Sequence, residues 1–146
     1  MKKVLLIVFF TSVVVGGFIL LGLYSVMPDF QTSSYAEDKL VFTNHRDTLY
    51  LKKRIDGNKE IIAISTSSDL KFDPDSSSMF IYDVSSTSLF YKQTADSLII
   101  YTNALSEIPA KFTSRVKISQ IELSNPEMMD LMDNKYYMKM GLKKLD

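Results

Sequence analysis

The chain of 146 residues has no cysteine and no tryptophan, a single histidine, and only five glycines. Without cysteine there is no disulfide framework, no thiolate zinc site and no thiol nucleophile. With His45 as the sole imidazole, a histidine-rich metal centre is excluded, and any Ser-His-Asp triad would have to use that one residue. Three of the five glycines, Gly16, Gly17 and Gly22, lie in one apolar run, so no glycine-rich phosphate loop is available elsewhere. There is also no excess of either charge. Seventeen basic residues balance seventeen acidic ones, and two of the basic ones are Lys2 and Lys3 at the tip. A nucleic-acid binder needs a basic face to neutralise phosphates, and this balance argues against one.

What the sequence does have is a charge-free stretch. Val4 to Met27 is 24 residues of mostly Val, Leu, Ile and Phe. As a helix rising 1.5 Å per residue it would extend about 36 Å, enough to cross a hydrocarbon core of roughly 30 Å. Lys2 and Lys3 precede it, and Asp29, Glu37 and Asp38 follow. The positive-inside rule then places the amino terminus in the cytoplasm and the rest outside, periplasmic or extracellular. Residues 1–27 therefore read as a single-pass anchor in contact with the lipid bilayer through residues 4–27. The alternative is a signal peptide cleaved after Ala36, for which Ser34-Tyr35-Ala36 offers small residues at the two recognised positions. Signal cores are usually 7–15 apolar residues long, shorter than this run.

Residues 28–37 are polar and open with Pro28, and they read as a tether. From 38 to 146 the pattern becomes short β-like runs separated by turn residues. Leu40-Val41-Phe42 is one such run. Leu49, Leu51 and Ile55 then alternate with Tyr50, Lys52 and Arg54, the period-two signature of a strand with one buried face. Asp56-Gly57 leads from that strand into Glu60–Ile64, a tight-hairpin signal because Gly supplies the positive φ the turn requires. Ser65 to Ser78 reads as a long loop. Met79–Tyr82, Ser88–Tyr91 and Ser97–Tyr101 are further strands. Lys111–Leu123 holds one more strand or pair, with Val116 and Ile118 on one face and Ile121 and Leu123 on the other. That change of phase predicts a bulge or bend near Gln120.

The expected fold is thus a transmembrane helix followed by a β-rich (α+β) exported domain, a small antiparallel sandwich or meander of about six or seven strands. One carboxy-terminal helix over about 126–140 closes it, with Asn125 as N-cap, Pro126 in the first turn and Gly141 at the end. One internal similarity stands out: Leu40–Leu51 aligns with Leu89–Ile100, as two hairpins obeying the same turn rules or as a duplicated two-strand unit.

The candidate chemistry is thin. His45-Arg46-Asp47 resembles a kinase catalytic loop, but the Asn expected five residues after the Asp is Lys52. Asp73, Asp75 and Ser77 occupy the first, third and fifth positions of a calcium loop, with Asp69 and Asp83 nearby. The required Gly and Glu are replaced by Ser78 and Val84. No GxSxG elbow frames any serine, and paired carboxylates for glycoside hydrolysis have no distinguishing spacing. No catalytic, cofactor or metal residue is therefore assigned. The one candidate surface is on the last helix. There Met128, Met132, Tyr136 and Met140 fall four apart on a 100° wheel, with Met129 beside them and Glu127, Asp130 and Asn134 opposite. Methionine suits both irregular cores and adaptable binding grooves. The stripe packs on the domain's own sheet, docks on a protein partner or lies on the membrane.

The functional expectation is a membrane-tethered, non-enzymatic binding or accessory protein of the cell envelope. The rivals are a small envelope enzyme using scattered Asp, Glu and Ser, and a small subunit of a membrane complex acting through its transmembrane helix.

Overall fold

The computed structural model describes residues 33–44 and 46–145. The apolar run Val4–Met27, most of the tether and His45 lie outside the described residues. Among the described residues, no helix is long and apolar enough to cross a membrane.

The described chain forms two sheets of four strands. Strands β1 (Ser34–Phe42), β2 (Asp47–Asp56), β3 (Lys59–Ser65) and β4 (Phe80–Asp83) make the first, in sequential order and antiparallel throughout. The second contains β5 (Phe90–Gln93), β6 (Ser97–Thr102), β7 (Lys117–Glu122) and β8 (Lys143–Lys144), in the order β7-β6-β5-β8. Alternation drives both. In β6, Leu98, Ile100 and Thr102 are buried while Ser97, Ile99 and Tyr101 are only partly covered. In β4, Phe80 and Tyr82 point inward and Asp83 outward. The inner faces meet in one core of Leu40, Phe42, Leu49, Leu51, Ile62, Ile64, Phe80, Tyr82, Tyr91, Leu98 and Ile100. Polar contacts tie the sheets at the rim of this core. The Tyr82 hydroxyl donates to Gln120 Oε1 at 2.9 Å, and the Tyr91 hydroxyl to Asp38 Oδ2 at 2.7 Å.

The hairpin expected at Asp56-Gly57 is present. Asp56 pairs with Lys59 across a two-residue loop, and Gly57 has φ 58°. A positive φ at the first loop residue is what a II′ hairpin turn needs, and it matches the twist of the flanking strands. The loop read over Ser65–Ser78 is also there, between β3 and β4.

Five readings need correction. The strands number eight, because Lys143–Lys144 adds to β5 without any apolar signal of its own. The architecture is not wholly antiparallel, since β7 pairs parallel to β6 in unbroken register from Ser97↔Lys117 to Thr102↔Glu122. That register leaves no bulge near Gln120. The phase change exists because the second sheet is covered on both faces. Val116 and partly buried Ile118 pack on the inner core, whereas Leu123 packs on a second cluster outside it. β1 begins at Ser34, so it takes in the last residues of the stretch 28–37. The polar composition there has a cross-strand explanation, since Tyr35, Ala36 and Glu37 face Arg54, Lys53 and Lys52.

The fifth correction is to the terminal helix. It is not continuous over 126–140. Helix α1 (Asn125–Met132) is followed by a 3₁₀ turn (Asp133–Lys135) and a single-turn helix α2 (Tyr136–Lys139). Asn134 and Lys135 adopt left-handed conformations, φ 47° and 54°, which break the helix axis. The N-cap is Ser124 rather than Asn125. Its hydroxyl accepts from the Glu127 N–H while the Glu127 carboxylate accepts from the Ser124 N–H, a complete capping box.

The two similar segments do form hairpins, β1-β2 and β5-β6, one in each sheet. Their registers differ, however. Leu40 faces Leu49, whereas the aligned Leu98 faces Gln93 rather than Leu89. Shared turn rules account for the likeness without duplication of a paired unit.

Candidate functional site

Side-chain chemistry concentrates in two places, one sealed and one open. The sealed one lies on the outer face of the first sheet. Tyr35, Glu37, Tyr50, Lys52 and Arg54 all project to this face by strand alternation. The loop between β3 and β4 folds over it. Phe72 is buried, with its ring edge-on to Tyr35 at 6.3 Å. Arg54 holds the loop down through Asp73 Oδ1 at 2.9 Å and also pairs with Asp56. Beneath the loop Lys52 is fully buried, although its place in the alternating pattern is that of a solvated residue. Its ammonium donates to the Asp69 carbonyl oxygen and sits 5.8 Å from the Tyr50 ring centroid and 5.9 Å from that of Phe72. Glu37 is directly opposite on β1. One of its carboxylate oxygens is buried without a hydrogen bond. Burial pushes the Lys52 amine below the ordinary lysine value, against the pull of Glu37 and Asp69. A desolvated amine is a nucleophile in principle. At 0% exposure this one is closed to substrate, and its role is to pin the loop on the sheet.

The open place is the carboxy-terminal segment on the outer face of the second sheet. Met128 and Leu142 are buried there with Phe90, flanked by Tyr101, Leu123, Leu131 and Tyr137. Tyr137 stacks obliquely on Phe90 at 4.9 Å. These contacts anchor the segment at both ends. Gly141, at φ 70°, then turns the chain so that the Leu142 N–H donates to the Tyr137 carbonyl and β8 reaches β5. Between the anchors the apolar side chains face water. Met129 is 71% exposed, Met138 61%, Met140 52%, Met132 49% and Tyr136 44%.

The break at Asn134 decides where the four residues of the expected stripe go. Met128 enters the core. Tyr136 and Met140 line a mostly apolar groove of about 320 Å³ with Tyr101, Leu123 and Leu131, bordered by Lys92, Glu127 and Asp130. Met132 lines a different hollow with Phe90 and Lys135, and its sulfur accepts from the Ser88 hydroxyl. The structure therefore does not bring the four together on one face. The charge is divided as well. Glu127, Asp130 and Asp133 belong to α1 and its cap, whereas residues 134–145 carry Lys135, Lys139, Lys143 and Lys144 and no acidic residue. That division was readable in the sequence.

The carboxylates considered for calcium are dispersed. Asp75 accepts from Ser77 and Ser78, Asp83 from Ser85, Asp69 from Ser67, and Asp73 is engaged by Arg54. Among the described residues, no three His, Asp or Glu side chains are grouped as a cation site would require. Asp47, from the kinase-like tripeptide, accepts from Ser114 Oγ and the Arg115 N–H, bracing the approach to β7. Compared with known proteins, the chain matches no family model, no curated protein and no solved structure.

Proposed function

We propose that this chain is a membrane-tethered, non-enzymatic binding or accessory component of the cell envelope. In this reading residues 4–27 hold it in the bilayer with Lys2 and Lys3 in the cytoplasm, and the two-sheet domain stands outside. The observation that carries a binding role is the carboxy-terminal segment. It exposes four methionines and a tyrosine within twelve residues, beside a concave apolar groove. Isolated exposed apolar residues are ordinary, but a cluster of them around a groove marks a contact surface.

Two measurements test this. A reporter fused after Asp146 is active only outside the cytoplasm; cytoplasmic activity overturns the orientation, and a mature amino terminus at Glu37 selects the cleaved form. Photocrosslinking from Met140 in native membranes gives a discrete adduct that a Tyr136→Asp change abolishes while the domain melts normally. Retention of the adduct in that variant removes the groove from the binding role.

A further inference from the structure

We propose that the β3-β4 loop is a self-ligand, an autoinhibitory strap seated on a peptide-binding face on the outside of the first sheet. The partner this face fits is an extended segment carrying an aromatic residue followed by an acidic one, the chemistry of the loop's own Phe72-Asp73. The face is separate from the groove beside the carboxy-terminal segment and is tested independently of it. Three observations combine. The first is how the loop is held. Among the described residues no backbone–backbone hydrogen bond joins 66–74 to a strand, and from 66 to 76 only Phe72 is buried. The sheet grips the segment with side chains instead. Lys52 donates to the Asp69 carbonyl, and Arg54 donates to the Phe72 carbonyl at 3.3 Å and to Asp73 Oδ1 at 2.9 Å. The Phe72 ring meets Tyr35 edge-on, and its centroid lies 5.9 Å from the Lys52 ammonium. Two carbonyls, one ring and one carboxylate are what an extended peptide offers a binding face, and cations beside aromatic rings are suited to receive them.

The second is the quality of the seal. The Lys52 ammonium has three donors and one acceptor, and a Glu37 carboxylate oxygen on the neighbouring strand is buried without a hydrogen bond. A face closed with its polar groups half satisfied is less stable than an apolar face of the same shape. A covering that only completed the fold needs none of these charges. A face that exchanges one polar segment for another needs them. The third is where the loop is fixed. The Ser67 N–H donates to Ser65 Oγ, Ser77 and Ser78 donate to Asp75, and the Lys111 N–H donates to the Ser77 carbonyl. Both ends are thus tied by contacts that do not involve the face, and residues 68–73 lift as a local opening with β2 and β3 intact. A segment tethered in this way competes at an effective concentration on the order of millimolar, so a partner has to displace it.

Lys52 is fully buried beneath the loop, so its amine reports both opening and occupancy. The full chain is pulsed with an amine-acylating reagent, and labelling of Lys52 is followed by mass spectrometry with exposed Lys39 as the internal reference. In the parent, Lys52 is expected to label slowly, yet faster than the global opening measured by amide exchange of β2 and β3. In Phe72→Ala/Asp73→Ala it labels about tenfold faster or more, because the ring and the carboxylate that hold the loop are gone. A synthetic peptide of residues 67–75 added to that variant returns the Lys52 rate towards the parent's and leaves Lys39 unchanged. The same peptide with Ala in place of its Phe does not protect. Lys52 labelling no faster than global opening in both proteins overturns the proposal, since the loop is then a fixed part of the fold. Equal Lys52 rates with and without the peptide overturn it too, as does equal protection by the peptide that lacks Phe. Where the double variant does not melt cooperatively, Asp73→Ala alone carries the comparison. The crosslink from Met140 is unaffected by any of these outcomes, which separates this face from the groove.

Discussion

Replacing Glu37 by Gln isolates the charge pair beneath the β3-β4 loop. Lys52 is fully buried and its ammonium has one hydrogen-bond acceptor, the Asp69 carbonyl, besides two ring faces. Glu37 stands opposite it on β1 and, together with Asp69, attracts it electrostatically. Breaking a fully buried, directly bonded ion pair costs about 3–5 kcal/mol. Glu37 is only half-buried, makes no direct ion pair with Lys52 and leaves the Asp69 charge in place, so Glu37→Gln is expected to cost about 1 kcal/mol. For a domain of roughly 110 residues, with an unfolding entropy near 2.1 cal/mol/K per residue, that lowers Tm by about 4 °C. Lys52→Met acts differently. It removes the desolvated ammonium and leaves a carboxylate that can rehydrate, so its cost is within about 1 kcal/mol. Adding Glu37→Gln to Lys52→Met then costs little further. Thermal melts of the four proteins in a double-mutant cycle give a coupling of about 1 kcal/mol. A pH series adds a second check. Glu37→Gln removes an attraction that holds the Lys52 pKa up, so that pKa falls further below its unfolded value of 10.5. Between the two values the unfolded chain binds more protons than the folded one, and stability rises with pH. The Glu37→Gln deficit therefore shrinks as pH approaches 10. An equal cost for Glu37→Gln in the parent chain and in the Lys52→Met variant, unchanged by pH, refutes the account of the pair.

Gly57→Val is expected to cost at least about 1 kcal/mol, since a β-branched residue is forced to positive φ in the β2-β3 turn; chemical denaturation at an unchanged m-value reads it. Tyr82 and Tyr91 both have pKa values raised above the ordinary 10.0, first by burial and for Tyr91 also by its bond to Asp38. Their neutral forms stabilise the fold below that value, and the stability is lost as pH rises above it, so Tyr82→Phe and Tyr91→Phe flatten the alkaline limb of a stability-pH curve. Met128→Asp buries an unpaired charge and costs several kcal/mol, on the order of 3 or more, whereas Met132→Asp stays within about 1 kcal/mol because Met132 is half in water; midpoints from urea titration separate the two.

The first sheet was legible because β2 alternates apolar and polar residues, β3 is a short apolar run buried on both faces, and consecutive strands pair. Leu49 and Leu51 alternating with Tyr50 and Lys52, and Asp56-Gly57 closing the turn, are local signals with local causes. The second sheet was less legible because its order depends on residues far apart. Nothing near Lys117 announces a parallel neighbour twenty residues earlier, and nothing in Lys143–Lys144 announces a strand. Lys52 shows the limit of the alternation rule. The rule placed it on the solvent face of β2, and the face is right. It is not solvated because a loop of Ser, Asp and Phe72 lies over it, a long-range contact with no period to reveal it.

The carboxy-terminal segment carries the same lesson in the opposite direction. Four residues spaced four apart make a stripe only if the helix between them is continuous. The sequence signals that argue against continuity are weak ones: Asp133-Asn134 tolerate capping and left-handed conformations, but neither forbids a helix. Once Asn134 and Lys135 turn left-handed, the two halves are re-aimed independently. The first half sends Met128 into the second core. The second half sends Tyr137 there, one residue out of phase with the expected Tyr136. A helix that had continued would have needed Met128, Met132, Tyr136 and Met140 to be covered together. The break instead buries the minimum that fixes the segment, Met128, Tyr137 and Leu142, and leaves Met132, Tyr136, Met138 and Met140 outside. The exposure of Tyr136, Met138 and Met140 follows from the kink, whereas Met129 and Met132 lie before it on α1 and face outward there. The same kink divides the acidic α1 from the lysines that follow it in sequence, while the groove brings Glu127 and Asp130 back beside Tyr136 and Met140.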